Sequence, residues 1–354
     1  MTSGGASTRL GLLGQWASWV YGRVIAARNR RYDVHGGRRL DVPVISVGNV
    51  TVGGTGKTPF VRYVAELLQG WGYPVVIAMR GYRSRGGMSD EEAEHGEALT
   101  GVEVVAHRNR FEALEAHLRG RGDGPCVILD DGFQHRQLHR DLDVVLVSAR
   151  EDLAGARLLP AGSLREPPEN LRRADAVIVT HAEEVDSKVG ETIGRYHGRG
   201  PAAWARHVWR GLRVFTGGGE EEASPRWLRG KRVVTLLGVA RPEVVLAQLR
   251  GAGAEVAGKV GAQDHERYSR RKLRRVREAS AGVDALVMTG KDWVKVRELI
   301  DLRDWGGRIV VPEVSIEVFE GGEAVKALVW GAVGGRVKEE GEGGSMSGSS
   351  DGGD

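Results

Sequence analysis

Through the first half of the chain, short apolar runs alternate with segments whose apolar residues recur every three or four positions. Residues 42–47, 74–79, 102–106, 125–129, 144–148 and 176–180 are brief and mostly apolar, without strict alternation. Strands buried on both faces read this way, whereas strands with one wet face alternate. Residues 57–69 and 110–118 carry the helical period between them. Strand, helix and strand in succession predict an α/β fold: a parallel sheet with helices on both faces, doubly wound.

The rhythm returns later. Residues 217–231 are rich in Gly, Glu and Pro and read as a surface connection. Strand patterns at 232–237, 255–260 and 285–289, with helical patterns at 242–249 and 270–279, then predict a second, smaller α/β lobe. From residue 334 onward Gly, Ser and acidic residues dominate, and a disordered tail is expected. At the other end Leu12, Leu13, Trp16, Trp19, Val20 and Val24 recur at helical spacing, followed by Arg23, Arg28, Arg30 and Arg31. Two readings stand for this helix: an interfacial membrane anchor, or a core helix packed on the domain. The expected plan is an N-terminal amphipathic segment 1–31, a nucleotide-binding domain 32–216, a smaller lobe 217–333 and a tail 334–354.

Charge narrows the partners. The chain has 354 residues, with 51 Lys and Arg against 47 Asp and Glu, a net charge of +4. This mild basic excess suits an anionic ligand or membrane surface and gives no argument for nucleic acid. One cysteine, Cys126, excludes an intramolecular disulfide framework and a Cys-based zinc cluster. No apolar run reaches the roughly 18–20 residues of a membrane span.

The chemistry concentrates in a few motifs. The stretch VISVGNVTVGGTGKTP, residues 44–59, runs from a strand through a glycine-rich turn into a helix. A phosphate loop needs inward N–H groups, a helix N-terminus, a lysine for the outer phosphates and a hydroxyl for Mg²⁺. Gly53, Gly54, Thr55 and Gly56 form the turn, Lys57 supplies the charge and Thr58 the metal ligand. Thr51 occupies the slot of the usual first glycine. The spelling is close to the deviant loop of MinD/ParA-like ATPases, but Val52 stands where those carry a lysine that crosses a dimer. Residues 289–292, TGKD, do not match the N-K-x-D guanine reader, which argues against a GTPase.

Downstream, CVILDDGFQHR (residues 126–136) places Asp130 and Asp131 at the C-terminal end of a buried strand, with His135 close by. Ligands of open parallel sheets gather there, and phosphate-loop proteins hold metal with an acid in this place. Asp90 has two readings: a general base, or part of a helix start with Ser89 as cap and Glu92 closing a capping box. Asp264-His265 is either a surface pair or a functional one. His135 and His139 are four apart, yet no third zinc ligand has matching spacing. The run RRKLRRVR, residues 270–277, is a solvated helix face or an attraction site for anionic lipid or a phosphorylated substrate.

Taken together, ISVGNVTVGGTGKTP, RGYRSR, SDE, ILDDGFQHR, LLPAGSLREP, RRADAVIVT, LLGVARPE, QDH and MTGKDWVK follow the order found in tetraacyldisaccharide 4'-kinases. The resemblance runs from about residue 42 to residue 295. It implies transfer of the ATP γ-phosphate, with Mg²⁺, to the 4'-hydroxyl of an acylated glucosamine disaccharide 1-phosphate lipid, by a monomeric peripheral protein at the cytoplasmic face of the inner membrane. It also implies residue roles: Asp90 as base with His265 as its partner, Asp130, Asp131 and His135 in the active site, and Glu166 as an acid near the metal beside Thr58 and Asp130. Gly290 replaces the family's usual glutamate, Glu266 its second histidine, and Ser163 a frequent proline. The alternatives are a nucleotide-dependent switch or chaperone of the MinD/ParA type and a kinase for another amphipathic sugar or isoprenoid.

Overall fold

A computed structural model describes residues 4–81, 95–96, 99–239, 241–261 and 268–342. Two compact units emerge: Met1–Tyr82 with Gly101–Arg206 and Glu317–Asp354, and Arg83–Thr100 with His207–Ile316.

The first unit opens with helix α1 (Gly4–His35). Ser18, Ile25 and Asn29 form its buried stripe, and Gly22 lies so close to Leu158 that a Cβ would come within 2.9 Å of Leu158 Cδ1. Trp16, Trp19 and Val24 point away from that stripe and are 66%, 62% and 60% exposed. The helix is therefore packed on the domain while an apolar face stays in water. Among the described residues no helix is long and apolar enough to cross a membrane.

Then come β1 (Val44–Asn49), α2 (Lys57–Gly70), β2 (Val75–Met79), β3 (Val102–Ala106), α3 (Arg110–Leu118), β4 (Cys126–Asp130), β5 (Leu142–Ser148), β6 (Ala176–Thr180), α4 (Ser187–His197) and β7 (Ala203–Thr216). The strands lie in the order β7-β6-β5-β1-β4-β2-β3, all parallel. Every residue of β1, β2, β4, β5 and β6 is buried, which explains their unbroken apolar pattern. Helix α2 covers them with Phe60, Val61, Val64, Ala65 and Leu68; each large side chain so buried contributes roughly 1.5–3 kcal/mol. Gly48 in β1 passes against Phe133, where a Cβ would lie 2.5 Å from Phe133 Cβ. Only glycine lets the strand and the DGFQ turn come this close.

In the second unit β7 pairs antiparallel with β8 (Gly219–Ala223). Next follow β9 (Arg232–Leu237), α5 (Pro242–Gly251), β10 (Glu255–Gly261), α6 (Arg270–Ala279), β11 (Ala285–Met288), α7 (Gly290–Val296) and β12 (Ile309–Glu320). Strands β10-β9-β11-β12 are parallel. Phe215 stacks on Trp293 at 4.2 Å within a core that includes Leu236, Leu273, Val276 and Met288. The TGKD segment is structural: Thr289 caps α7, and buried Asp292 accepts from Gly238 N (3.0 Å), Tyr268 OH (2.7 Å) and Thr289 Oγ1 (2.7 Å).

Two expectations need correction. Residues 217–231 are not merely a connection, because they contain β8 and a short turn that buries Leu228 completely. The second lobe also does not run on to residue 333. The last helix, α8 (Gly322–Glu342), belongs to the first unit, burying Val325, Val329 and Val333 and setting Trp330 edge-on to Trp71 at 5.3 Å. Cutting the sequence into consecutive blocks hides a chain that returns, and α8 also carries the ordered backbone past residue 334. Residues 343–354 lie outside the described residues.

Candidate active site

The loop between β1 and α2 is built to bind an anion. Gly56 immediately precedes α2 with φ 80°, a left-handed conformation that glycine adopts without strain, and Gly53 has φ 122°. Because Gly56 offers no side chain to cap the helix, the first N–H groups of α2 are left to face a ligand. Gly53 and Gly54 are exposed and have open space around them, so a phosphate can approach the backbone. The loop is anchored from beneath. Asn49 Nδ2 donates to Thr55 Oγ1 (3.0 Å), Thr180 Oγ1 to Thr55 O (2.8 Å) and Gln134 Nε2 to Asn49 O (2.8 Å).

Residues 163–165 brace the entrance of the loop. Val52 N donates to Ser163 O (2.7 Å), Arg165 N donates to Val50 O (2.7 Å), and Thr51 forms an antiparallel bridge with Leu164. Thr51 is 1% exposed, so the residue in the glycine slot is a buried bracing point. Val52 is 40% exposed.

Asp131 is where the charges converge. Lys57 Nζ lies 3.5 Å from its Oδ1, and Arg165 Nη1 lies 2.8 and 2.7 Å from its two carboxylate oxygens. Arg110 Nη1 also donates to the Asp131 carbonyl oxygen (3.3 Å). Burial alone would raise the Asp131 pKa, but Lys57, Arg165 and Arg110 overcome it and hold the carboxyl below its ordinary value. Asp130 ends β4, beside Val47 of β1 in register, and is 7% exposed. His135 is pushed down to about 4 by burial and by Arg110, Arg140 and Arg80, so it is neutral at pH 7. Its buried Nε2 has no hydrogen-bond partner among the described residues.

The structure thus places Gly53, Gly54, Thr55, Gly56, Lys57, Thr58, Asp130, Asp131 and His135 in the first unit and brings Lys57 to Asp131. Asp90 and His265 lie outside the described residues. Glu166 has a different setting. It is completely buried and saturated by Arg28 (3.2 Å), Asn29 (3.0 Å), Asn170 (2.7 Å) and Arg173 (2.7 Å). Three of these donors converge on Oε2 and one on Oε1, and the fully buried carboxylate ties α1 to the 163–173 segment. Thr58 and Asp130 do fit Mg²⁺, being hard oxygen donors at the helix start and at the adjacent strand end. No cluster of three His, Cys, Asp or Glu able to hold a metal by itself occurs among the described residues. Sequence reasoning missed Arg165 and Arg110, because an arginine carries no spacing signal that says which carboxylate it will meet.

Comparison with known proteins identifies a family. The family model described as Tetraacyldisaccharide-1-P 4'-kinase matches residues 11–332. A tetraacyldisaccharide 4'-kinase of Geobacter sulfurreducens is 36% identical over 313 residues, covering 83% of this chain and 86% of that protein. The one from Geobacter metallireducens is 38% identical over 280 residues, covering 73% and 80%. Among solved structures, LpxK from Aquifex aeolicus in complex with ATP superposes with a TM-score of 0.68 at 29% identity, covering 89% of this chain and 97% of that one.

Proposed function

The chain belongs to the tetraacyldisaccharide 4'-kinase family, and we propose that it transfers the γ-phosphate of ATP to the 4'-hydroxyl of a tetraacylated glucosamine disaccharide 1-phosphate. The observation that carries this reading is the uncapped N-terminus of α2 with Lys57 and Arg165 gathered on ionised Asp131. Phosphoryl transfer asks for positioning and charge neutralisation more than for covalent chemistry by the protein. The α2 N–H groups and the loop backbone cradle the phosphates, and Lys57 neutralises the outer ones. Asp131 keeps the Lys57 and Arg165 head groups in place beforehand, so no reorganisation is needed as charge develops. Mg²⁺, held by Thr58 and Asp130, supplies further neutralisation of the phosphate oxygens when bound.

Neutral His135 offers the acceptor sugar a hydrogen bond without adding charge. On the family resemblance, Asp90 takes the proton of the 4'-hydroxyl with His265 as its partner. The acceptor is a lipid whose buried CH₂ groups are each worth about 0.8 kcal/mol, so the enzyme goes to the membrane. The exposed Trp16 and Trp19 face of α1 seats it, as a monomer, on the cytoplasmic side of the inner membrane. The MinD/ParA-type reading gives way to the family match. Transfer of labelled γ-phosphate to the disaccharide 1-phosphate in detergent tests the proposal. Wild type should label the acceptor and Lys57→Ala should not; a wild type that hydrolyses ATP without labelling the lipid would overturn it.

A further inference from the structure

Helix α6 carries a concentration of charge that phosphoryl transfer leaves unused. Its ten residues hold six cations and one acid, whereas the entire chain has a net charge of only +4. Leu273 and Val276 bury one side in the second unit's core, leaving Arg270, Arg271, Arg274, Arg275 and Arg277 exposed. The arrangement works against the helix itself. Arg270, Arg271 and Lys272 crowd the first turn, which contains no acid, and cations there oppose the helix dipole. Arg270 with Arg274, and Arg271 with Arg275, are also like-charged neighbours four residues apart. The helix starts despite this, with Ser269 Oγ accepting from Lys272 N (3.2 Å). Stability alone would place acids in that turn, so the cations call for an external anionic partner.

We propose that the exposed arginine face of α6 docks on an anionic lipid surface, with headgroup phosphates as its ligands. The proposal rests on the reading that the enzyme meets its acceptor at a bilayer. Guanidinium forks match phosphate oxygens in pairs. Several Lys or Arg residues on one amphipathic helix attract acidic lipid strongly, whereas an apolar contact alone attaches a protein only marginally. The near-neutral balance of the whole chain makes the attraction local to this face, as suits a protein oriented on a charged plane.

The test is co-sedimentation of the full chain with vesicles of phosphatidylcholine, alone or mixed with phosphatidylglycerol, at low and high salt. The variant Arg271→Gln/Arg274→Gln/Arg275→Gln keeps good helix formers and relieves the first turn, so it should melt no lower than wild type. Each arginine near the surface is worth about fivefold in partition. The triple variant should therefore bind mixed vesicles on the order of 100-fold more weakly, with little change on phosphatidylcholine. The variant Arg271→Lys/Arg274→Lys/Arg275→Lys should keep most of the binding. Glutamine-variant binding equal to wild type would overturn the proposal, as would wild-type binding indifferent to phosphatidylglycerol or salt, or tighter binding to duplex DNA than to mixed vesicles. Transfer in detergent tests the kinase reading separately. Wild type and glutamine variant should be equally active there, and a variant impaired there would count against a purely docking role.

Discussion

Replacing Glu166 with alanine separates a structural carboxylate from a metal ligand. The side chain is 0% exposed and receives Arg28, Asn29, Asn170 and Arg173. Its removal leaves Arg173, which is 17% exposed at the side chain and stacked over Phe133 at 4.3 Å, without its ion-pair partner. Breaking a buried pair from one side costs about 3–5 kcal/mol. In a unit of this size each kcal/mol moves the melting temperature by about 2–4 °C, so Glu166→Ala should melt on the order of 10 °C lower, with no nucleotide or Mg²⁺ present. The isosteric Glu166→Gln keeps an acceptor oxygen for Arg173 but loses the charge and turns the other oxygen into an NH₂ donor, so it should lie between the two. Thermal and urea unfolding measure both, and Mg²⁺ titration of the surviving activity completes the comparison. If Glu166→Ala melts like wild type but needs much more Mg²⁺, the carboxylate is a metal ligand and the structural reasoning fails.

Other consequences are equally direct. His135 has a folded pKa of about 4 against an ordinary 6.5, so the unfolded chain takes up the proton first; stability should be complete above pH 6.5 and fall as pH drops toward 4. The effect is at most about 3 kcal/mol, and His135→Gln should remove that part of the pH dependence in denaturant titrations at pH 7 and pH 4.5. Gly48→Ala drives a methyl group into Phe133 and should cost about 1–3 kcal/mol, read as a lower urea midpoint. Trp16→Ser/Trp19→Ser alters only exposed positions, so melting should hold while binding to vesicles weakens; unchanged binding would exclude α1 as an anchor. Lys57→Ala should lower kcat by about 10²–10³ or more while the fold, checked by circular dichroism, is retained.

How much was legible in the sequence depends on the range of the interaction that decides each feature. The shape of the glycine loop was, because it rests on backbone freedom at Gly53 and Gly56, beside Lys57 and Thr58, all within six residues. The strands of the first sheet were too, since burial on both faces leaves a continuous apolar run. Motif order alone pointed to the kinase family, and the match over residues 11–332 supports it. The long strands β7 and β12 did not stand out, because their burial is mixed and no simple period marks them.

What only the tertiary structure decided is which distant charges meet. Arg165 crosses 34 positions to Asp131, while its neighbour Glu166 turns the other way to Arg28 and Asn29, more than 130 positions back. The chain bends at these two residues, so one joins Asp131 and the other the N-terminal helix. Local chemistry along the chain chose the glycine loop; the packing of α1 and the 163–173 segment chose which carboxylate meets Lys57 and Arg165 and which is buried against α1.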